Sequence, residues 1–235
     1  MKIKRILAFI AVIIIIVNLA YYYPTLTGKG AYSPETVNMV RAIDGDTFEI
    51  ESGDIRLLCI NTPEKNKPFY SEAKTKLAEF EGKEVQILRD KDDEDQYNRK
   101  LRFVFYGNRF IDKELLEEGL ASLYMCEGLR YEADLKKAEE QARAQGKGIW
   151  KKSTSKCADC LELVKLEPVL EYFILKNKCS FECSAEAKDE GNHFFDIAIE
   201  GGKEKVFESK GKVWNDDGDR LFVRDEQGLL VYYEY

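Results

Sequence analysis

Two turns cut residues 37–60 into three short β-favouring runs, and this pattern constrains the fold more than any other stretch of the 235-residue chain. Val37–Ile43 and Thr47–Ile50 flank Asp44-Gly45-Asp46, and Glu51-Ser52-Gly53-Asp54 leads into Ile55–Ile60. Glycine tolerates positive φ and aspartate favours turn positions, so both junctions suit tight reversals. Strands so short and so closely joined pair with their neighbours, which gives a three-stranded meander. The side chains at its turns and strand ends are therefore held near one another.

Beyond residue 60 the chain adds helices to this meander. Ser71 is placed to cap a helix with Ala73, Leu77 and Phe80 on one face, closed by Gly82. Val85–Arg89 reads as a strand, Asp90–Asp95 as an acidic loop and Leu101–Tyr106 as a further strand. Asp112 reads as the N-cap of a second helix with Leu115 and Leu116, ended by Gly119. A third helix, from Tyr131 to Ala144, repeats apolar positions at Leu135, Ala138 and Ala142 before Gly146. Strands interleaved with three helices predict an α+β domain over residues 37–153: an OB-type β-barrel with helices packed on it.

The chain has one histidine, His193, and it lies outside this segment. That excludes Ser-His-Asp hydrolysis, histidine-based metallonuclease chemistry and paired-histidine ribonuclease chemistry from residues 37–153. The chemistry left is that of carboxylates, arginines and a metal. Asp46 and Asn61, with a backbone carbonyl, are hard oxygen donors suited to Ca²⁺ or Mg²⁺. Arg56 and Arg99 carry planar donor forks matched to phosphate oxygens, and Glu64 is the candidate to hold or deprotonate an attacking water. Each signal alone has a plainer reading: a simple turn, a solvated-face arginine on a strand, a strand terminator at Thr62-Pro63-Glu64, one basic residue among several.

Taken in order, IDGDT, IRLLCINTPE, DQYNR, ELLEEGLA and a terminal helix ending in GKGIW resemble the staphylococcal-type thermonuclease family. The resemblance implies an OB-type barrel with three helices and Ca²⁺-dependent hydrolysis of DNA and RNA phosphodiesters, releasing 3′-phosphates. It further implies that Asp46 is a metal ligand, that Thr62 contributes its backbone carbonyl, and that Arg56, Glu64 and Arg99 match the catalytic trio. There are two departures. Asn61 stands where familiar members have aspartate; its amide oxygen can bind Ca²⁺ but brings no charge, so weaker metal affinity is expected and Mg²⁺ or another divalent metal stays open. Asn98 stands where they have glycine, and asparagine tolerates the left-handed conformation better than most residues.

Ahead of this domain, Lys2, Lys4 and Arg5 precede an apolar run over residues 6–23, interrupted only by Asn18. The run is near the lower limit for a transmembrane helix, and basic residues before it predict a cytoplasmic N-terminus with the rest of the chain outside. Tyr21-Tyr22-Tyr23-Pro24 suits the outer interface, and no obvious small-x-small cleavage site precedes it. An uncleaved anchor is favoured over a secreted, cleaved form. Residues 1–36 then comprise the anchor and a tether.

The acidity of the chain, net charge −7, lies mainly beyond residue 156: residues 157–235 carry 18 acidic and 10 basic side chains. A polyanion is repelled there unless a local patch or a cation intervenes. Cys157-Ala-Asp-Cys160 and Cys179-Ser-Phe-Glu-Cys183 suggest two disulfides, a zinc site or free thiols, and an oxidising compartment favours disulfides. Cys59 and Cys126, among apolar residues, read as buried thiols, with a bond between them as the alternative. Strand signals from Tyr172 to Tyr235 predict a small all-β sandwich, and the order LKN, AKDEGNHFF, VWNDDGDRLFVRDEQGLLVYYEY resembles the lamin-tail family, an immunoglobulin-like fold. Asn215–Asp219 reads as a solvated turn, and His193 as a residue without a catalytic partner. The setting suggests attachment of this module to the cell surface or to another protein.

These expectations combine into an exported, membrane-tethered nuclease acting on DNA or RNA. The alternatives are a nucleic-acid-binding barrel that does not cut, and a surface adhesion protein.

Overall fold

The computed structural model describes residues 32–235. The apolar run at residues 6–23 lies outside them, and among the described residues no helix is long and apolar enough to cross a membrane.

The first half of the described chain is a curled sheet. Its strands are β1 (Glu35–Asn38), β2 (Arg41–Ala42), β3 (Thr47–Ile50), β4 (Gly53–Leu57), β6 (Glu84–Leu88), β7 (Lys100–Tyr106) and β8 (Arg109–Phe110); a short separate strand, β5 (Ile60–Asn61), follows β4. The sheet runs β1-β6-β7-β4-β3-β2, with β8 on β7. Its two edge strands, β1 and β2, are thus neighbours in sequence. The run expected as one strand from Val37 to Ile43 breaks at Met39 and Val40, which turn to different partners: Met39 N donates to Lys83 O and Val40 N to Glu49 O. One segment thereby closes both edges, which curls the sheet as an OB-type barrel requires. Phe48, Ile55, Leu57, Ile87 and Phe103 fill the interior, each contributing about 1.5–3 kcal/mol by burial.

Three helices cover the barrel: α1 (Tyr70–Ala78), α2 (Ile111–Glu117) and α3 (Glu132–Ala144). Ala73 and Leu77 of α1 and Leu115 and Leu116 of α2 are buried as the periodicity predicts. Two caps differ from expectation. Phe69, in the left-handed conformation, precedes α1 and Ser71 lies inside it. Asp112 is not a cap but a fully buried residue in the first turn of α2, where its carboxylate accepts Val104 N at 2.9 Å. Burial pushes its carboxyl well above the usual range. The buried β7 amide uses the oxygen that a cap would have offered to the helix.

Residues beyond the barrel are β-rich. A three-stranded sheet, β10 (Leu161–Glu167), β11 (Tyr172–Asn177) and β14 (Glu204–Glu208), faces a four-stranded one in the order β13 (Phe194–Ile199), β12 (Cys183–Lys188), β15 (Arg220–Asp225) and β16 (Gly228–Glu234). Phe173, Leu175, Ile197, Trp214, Leu221 and Val223 form the core between them. All pairings are antiparallel.

All six cysteines are bonded: Cys59–Cys126, Cys157–Cys183 and Cys160–Cys179. The two close pairs of the C-terminal region thus cross-link as disulfides. The reading of Cys59 and Cys126 as buried thiols is corrected, because the chain after β4 and the segment after the two-residue strand β9 (Ser122–Leu123) bring them together across 67 residues. A loop of that size removes about 4 kcal/mol of unfolded-state entropy in the chain-entropy picture.

Residues from Pro34 to Tyr235 make one compact unit. The four-stranded sheet buries its second face on the barrel domain: Phe222 packs with Ala142, Ile149 and Trp150, and Tyr232 stands edge-on to Trp150 at 5.2 Å. At the same seam Arg220 Nη1 meets Glu139 Oε1 of α3 at 2.9 Å, both side chains buried. The same oxygen accepts Leu123 N from β9 at 2.7 Å. Removing one member of a buried pair strands the other. Glu139→Ala should therefore lower stability by about 3 kcal/mol, read from the urea midpoint, while Glu139→Leu/Arg220→Leu should recover part of that loss.

Candidate active site

Asp46 ends the turn between β2 and β3, and its carboxylate is buried, 5% of the residue being exposed. Oδ2 accepts both the backbone N–H of Thr62, at 2.7 Å, and its hydroxyl, at 2.8 Å. Oδ1 accepts Thr47 Oγ1 at 3.2 Å and faces Arg56 Nη1 at 3.3 Å. Arg56, alternating with apolar residues on β4, is no solvated-face arginine: it is 8% exposed and sits opposite Thr47 in the β3–β4 ladder. Its Nη1 donates to Leu57 O at 2.9 Å and its Nη2 to Asn61 Oδ1 at 3.3 Å. Asp46, Arg56, Asn61 and Thr62 are thus one connected network.

Gly45 makes this network fit, for a reason other than the positive φ expected of it. Its backbone is not left-handed. A Cβ there would lie 2.6 Å from Ala73 Cβ of α1 and 2.7 Å from Thr62 Oγ1. The turn needs glycine because α1 and the Thr62 hydroxyl close on it.

Arg99 joins through Thr47, whose Oγ1 accepts Arg99 Nη1 at 3.4 Å. Its fork is held by Asp95: Nε donates to Asp95 Oδ2 at 2.7 Å, and Nη2 forms an ion pair with the same oxygen at 2.7 Å. Asn98 takes φ 62° in the turn between them, the left-handed conformation expected of it. Partial burial raises the Asp95 carboxyl, but hydrogen bonds from Arg99 and Tyr97 outweigh it and hold it below the usual range. Glu64 stands apart. Its exposed side chain accepts Asn192 Nδ2 at 3.0 Å and lines, with Asn61, a cavity of about 850 Å³ between the barrel and the four-stranded sheet.

The donor set bears on a metal. Among the described residues no group of three or more His, Cys, Asp and Glu side chains is positioned to hold one. The available oxygens are the carboxylates of Asp46 and Asp44, the amide of Asn61 and the carbonyl of Thr62. Burial and the neighbouring Asp46 charge push Asp44 up to about 6. Two carboxylates crowded in this way, with neutral oxygens beside them, suit a hard divalent cation that relieves their repulsion.

Residues 54–152 match the family model for staphylococcal nuclease homologues. This stretch is similar to staphylococcal nuclease homologues. The chain is 27% identical to the thermonuclease of Staphylococcus hyicus over 135 residues, 52% of this chain and 80% of that one. It is 34% identical to the SPbeta prophage-derived endonuclease YokF and 33% identical to the endonuclease YncB, both of Bacillus subtilis, over half of this chain in each case. Those matches span 44% and 62% of the two Bacillus proteins. Arg56, Asn61, Thr62, Glu64 and Arg99 lie within the matched residues, and Asp46 lies just before them.

Several residues at the candidate site carry no signal of their role in the sequence. Asp95 belongs to an acidic loop, and only its place four residues before Arg99 hints at a pairing. The loop after β12 has no local signal. Glu190 O accepts Asn61 Nδ2 at 2.9 Å, and Asn192 meets Glu64. His193, read as without a catalytic partner, lies with Nδ1 2.7 Å from the buried Asp189 Oδ2 and fastens that loop. Gly45→Ala should force Thr62 off Asp46 and destabilise the fold by about 1–3 kcal/mol. Gly45→Ala/Ala73→Gly should restore part of the denaturation midpoint.

Proposed function

We propose that the chain is a divalent-metal-dependent phosphodiesterase that cleaves DNA or RNA, with Ca²⁺ as the first candidate metal and Mg²⁺ as the second. The observation that carries this reading is the hydrogen-bonded linkage of Asp46, Arg56, Asn61 and Thr62, with Arg99 fixed beside it. Its nuclease relatives support the substrate class.

In this reading Asp46, the Asn61 amide and the Thr62 carbonyl hold the metal, which when bound supplies positive charge at the phosphate oxygens. The chain's own groups do the rest. Arg56 is fixed by the Leu57 carbonyl and needs little reorganisation to meet a phosphate oxygen. Arg99, clamped by Asp95 on one side of its fork, keeps Nη1 directed at Thr47 and offers donors to developing charge. Glu64 is the base that orients water, with Oε1 held by Asn192 and Oε2 left to act. Each added negative charge in the transition state meets a donor already in position.

We further infer export, with the globular part outside the membrane and residues 6–23 as its anchor. Pairing of every cysteine supports an oxidising compartment. The C-terminal two-sheet region is read as a lamin-tail-like module that mediates contact with a surface or another protein. A barrel that binds nucleic acid without cutting is the competing reading, and Glu64's engagement by Asn192 is the observation in its favour.

A digestion assay of the full chain on DNA and RNA, with Ca²⁺, with Mg²⁺ or with chelator, separates the two. Metal-dependent loss of polymer is expected, and none under any divalent metal would sink the enzyme reading. Glu64→Gln and Arg99→Ala should each slow cleavage by about two orders of magnitude or more with circular dichroism unchanged. Undiminished rates would show the site is misassigned.

A further inference from the structure

The cavity that Glu64 lines carries two cations that the chain itself leaves poorly matched. Lys188 ends β12, and its Nζ donates to the neutral Asn192 Oδ1 at 2.6 Å and lies 5.0 Å from the centre of the Phe222 ring. No carboxylate among the described residues is within ion-pair distance of it. Arg224 stands on the adjacent β15, two residues beyond Phe222, which is Lys188's partner in the ladder. Its Nη2 is buried and has no hydrogen-bond partner. Both side chains lie on the face of the sheet turned to the barrel, because Ala187 and Val223, their neighbours in sequence, fill the sandwich core.

Both residues are half-buried, and cations withdrawn this far from water normally have an anion or a full set of acceptors. Burial lowers Lys188 to about 8 and Arg224 to about 10, so their environment disfavours the charges they carry. The carboxylates that share the cavity do not relieve this. Glu186 is paired with Lys67, Asp225 accepts hydrogen bonds from Ser153 and Ser155, and Glu64 accepts one from Asn192. Glu182 and Glu226 lie exposed on the rim. On the barrel side the hydroxyl of Ser122, a residue 1% exposed, lines the same cavity without a partner. Ser122 pairs with Asn61 in the β5–β9 ladder, so this free donor adjoins the proposed catalytic network.

We propose that Lys188 and Arg224 form a subsite for a backbone phosphate of a nucleic-acid strand, lying along the cavity from the phosphate that Arg56 and Arg99 would engage. The proposal rests on the nuclease reading for the identity of the strand. The acidic C-terminal region is then part of the substrate path, and its two unneutralised cations are the local patch through which a polyanion is tolerated. A strand phosphate supplies the charge that Lys188 and Arg224 lack, and the Ser122 hydroxyl offers a further donor along the path.

The test is fluorescence anisotropy of the full chain with a labelled single-stranded 12-mer in chelator, over a series of salt concentrations. Lys188→Gln should weaken binding about tenfold, Lys188→Arg should retain it, and Lys188→Gln/Arg224→Gln should reduce the salt slope by about one to one and a half, the loss of two phosphate contacts. Hydrolysis of bis(p-nitrophenyl) phosphate, too small to reach the subsite, should be unchanged in Arg224→Gln, whose side chain bonds neither Asn192 nor Glu64. Unaltered affinity and salt slope in the double variant, or no binding by the wild-type chain, overturn the subsite. If Lys188→Gln abolishes binding of inorganic phosphate but leaves the strand affinity intact, the pair is a free-phosphate site and the strand assignment falls. A wild-type chain that binds the strand in a Lys188-dependent way, yet cleaves neither polymer nor small diester with any metal, overturns the nuclease reading and leaves the subsite standing.

Discussion

The Glu139 carboxylate is the constraint on which both halves of the molecule depend. It is buried beneath α3, where a lone ionised carboxylate is strongly disfavoured, so it must be satisfied from several sides. One donor is Leu123 N of β9, the strand whose ladder sets Asn61 and Ile60 in place. Another is Arg220 of β15, which also reaches Glu234. Burial pushes the Glu139 carboxyl upward while the guanidinium opposes it. A single side chain thereby fixes the strand that carries a proposed metal ligand and seats the C-terminal sheet against the barrel.

Seating the sheet has a consequence for chemistry. Asp219, one residue before Arg220, accepts Glu190 N at 3.2 Å, so the same anchor holds the loop whose Glu190 carbonyl and Asn192 amide reach Asn61 and Glu64. The C-terminal module occupies part of the hydrogen-bonding capacity of Asn61 and Glu64 and lines one wall of the cavity beside them.

Much of the barrel is legible in the sequence because its signals are local. The turns at residues 44–46 and 51–54, and the helical spacing of Leu135, Ala138 and Ala142, depend on neighbours a few residues away. Asn98 is legible for the same reason: its left-handed turn is a property of one residue. The hidden part is long-range. Asp112 looks like a cap until β7 supplies the amide it accepts, and Cys59 looks like a buried thiol until Cys126 arrives from 67 residues away. Gly45 illustrates the distinction most sharply. A glycine in a turn suggests φ freedom, whereas its necessity comes from Ala73 and Thr62, which only the folded barrel brings there.

The same distinction explains why the candidate catalytic residues can be named from the sequence while their surroundings cannot. Arg56, Glu64 and Arg99 are identifiable by residue type in an ordered set of motifs, since phosphodiester chemistry without histidine leaves few alternatives. Asp95, Asn192 and Glu190 have no such requirement on their identity; they matter through the geometry they impose. Asp95 removes two donors of Arg99 from solution and so fixes where the remaining face of the guanidinium points. Asn192 does the reverse at Glu64, since its amide occupies one lone pair of Oε1 and disfavours protonation of that oxygen, leaving Oε2 as the one free to take a proton. The two contacts pull in opposite directions, one preorganising the site and the other restraining it. The restraint comes entirely from the C-terminal module, so any loosening of the Glu139–Arg220 seam acts on Glu64 through Asn192 and on Arg56 only through Asn61, which the Glu190 carbonyl and β9 both hold.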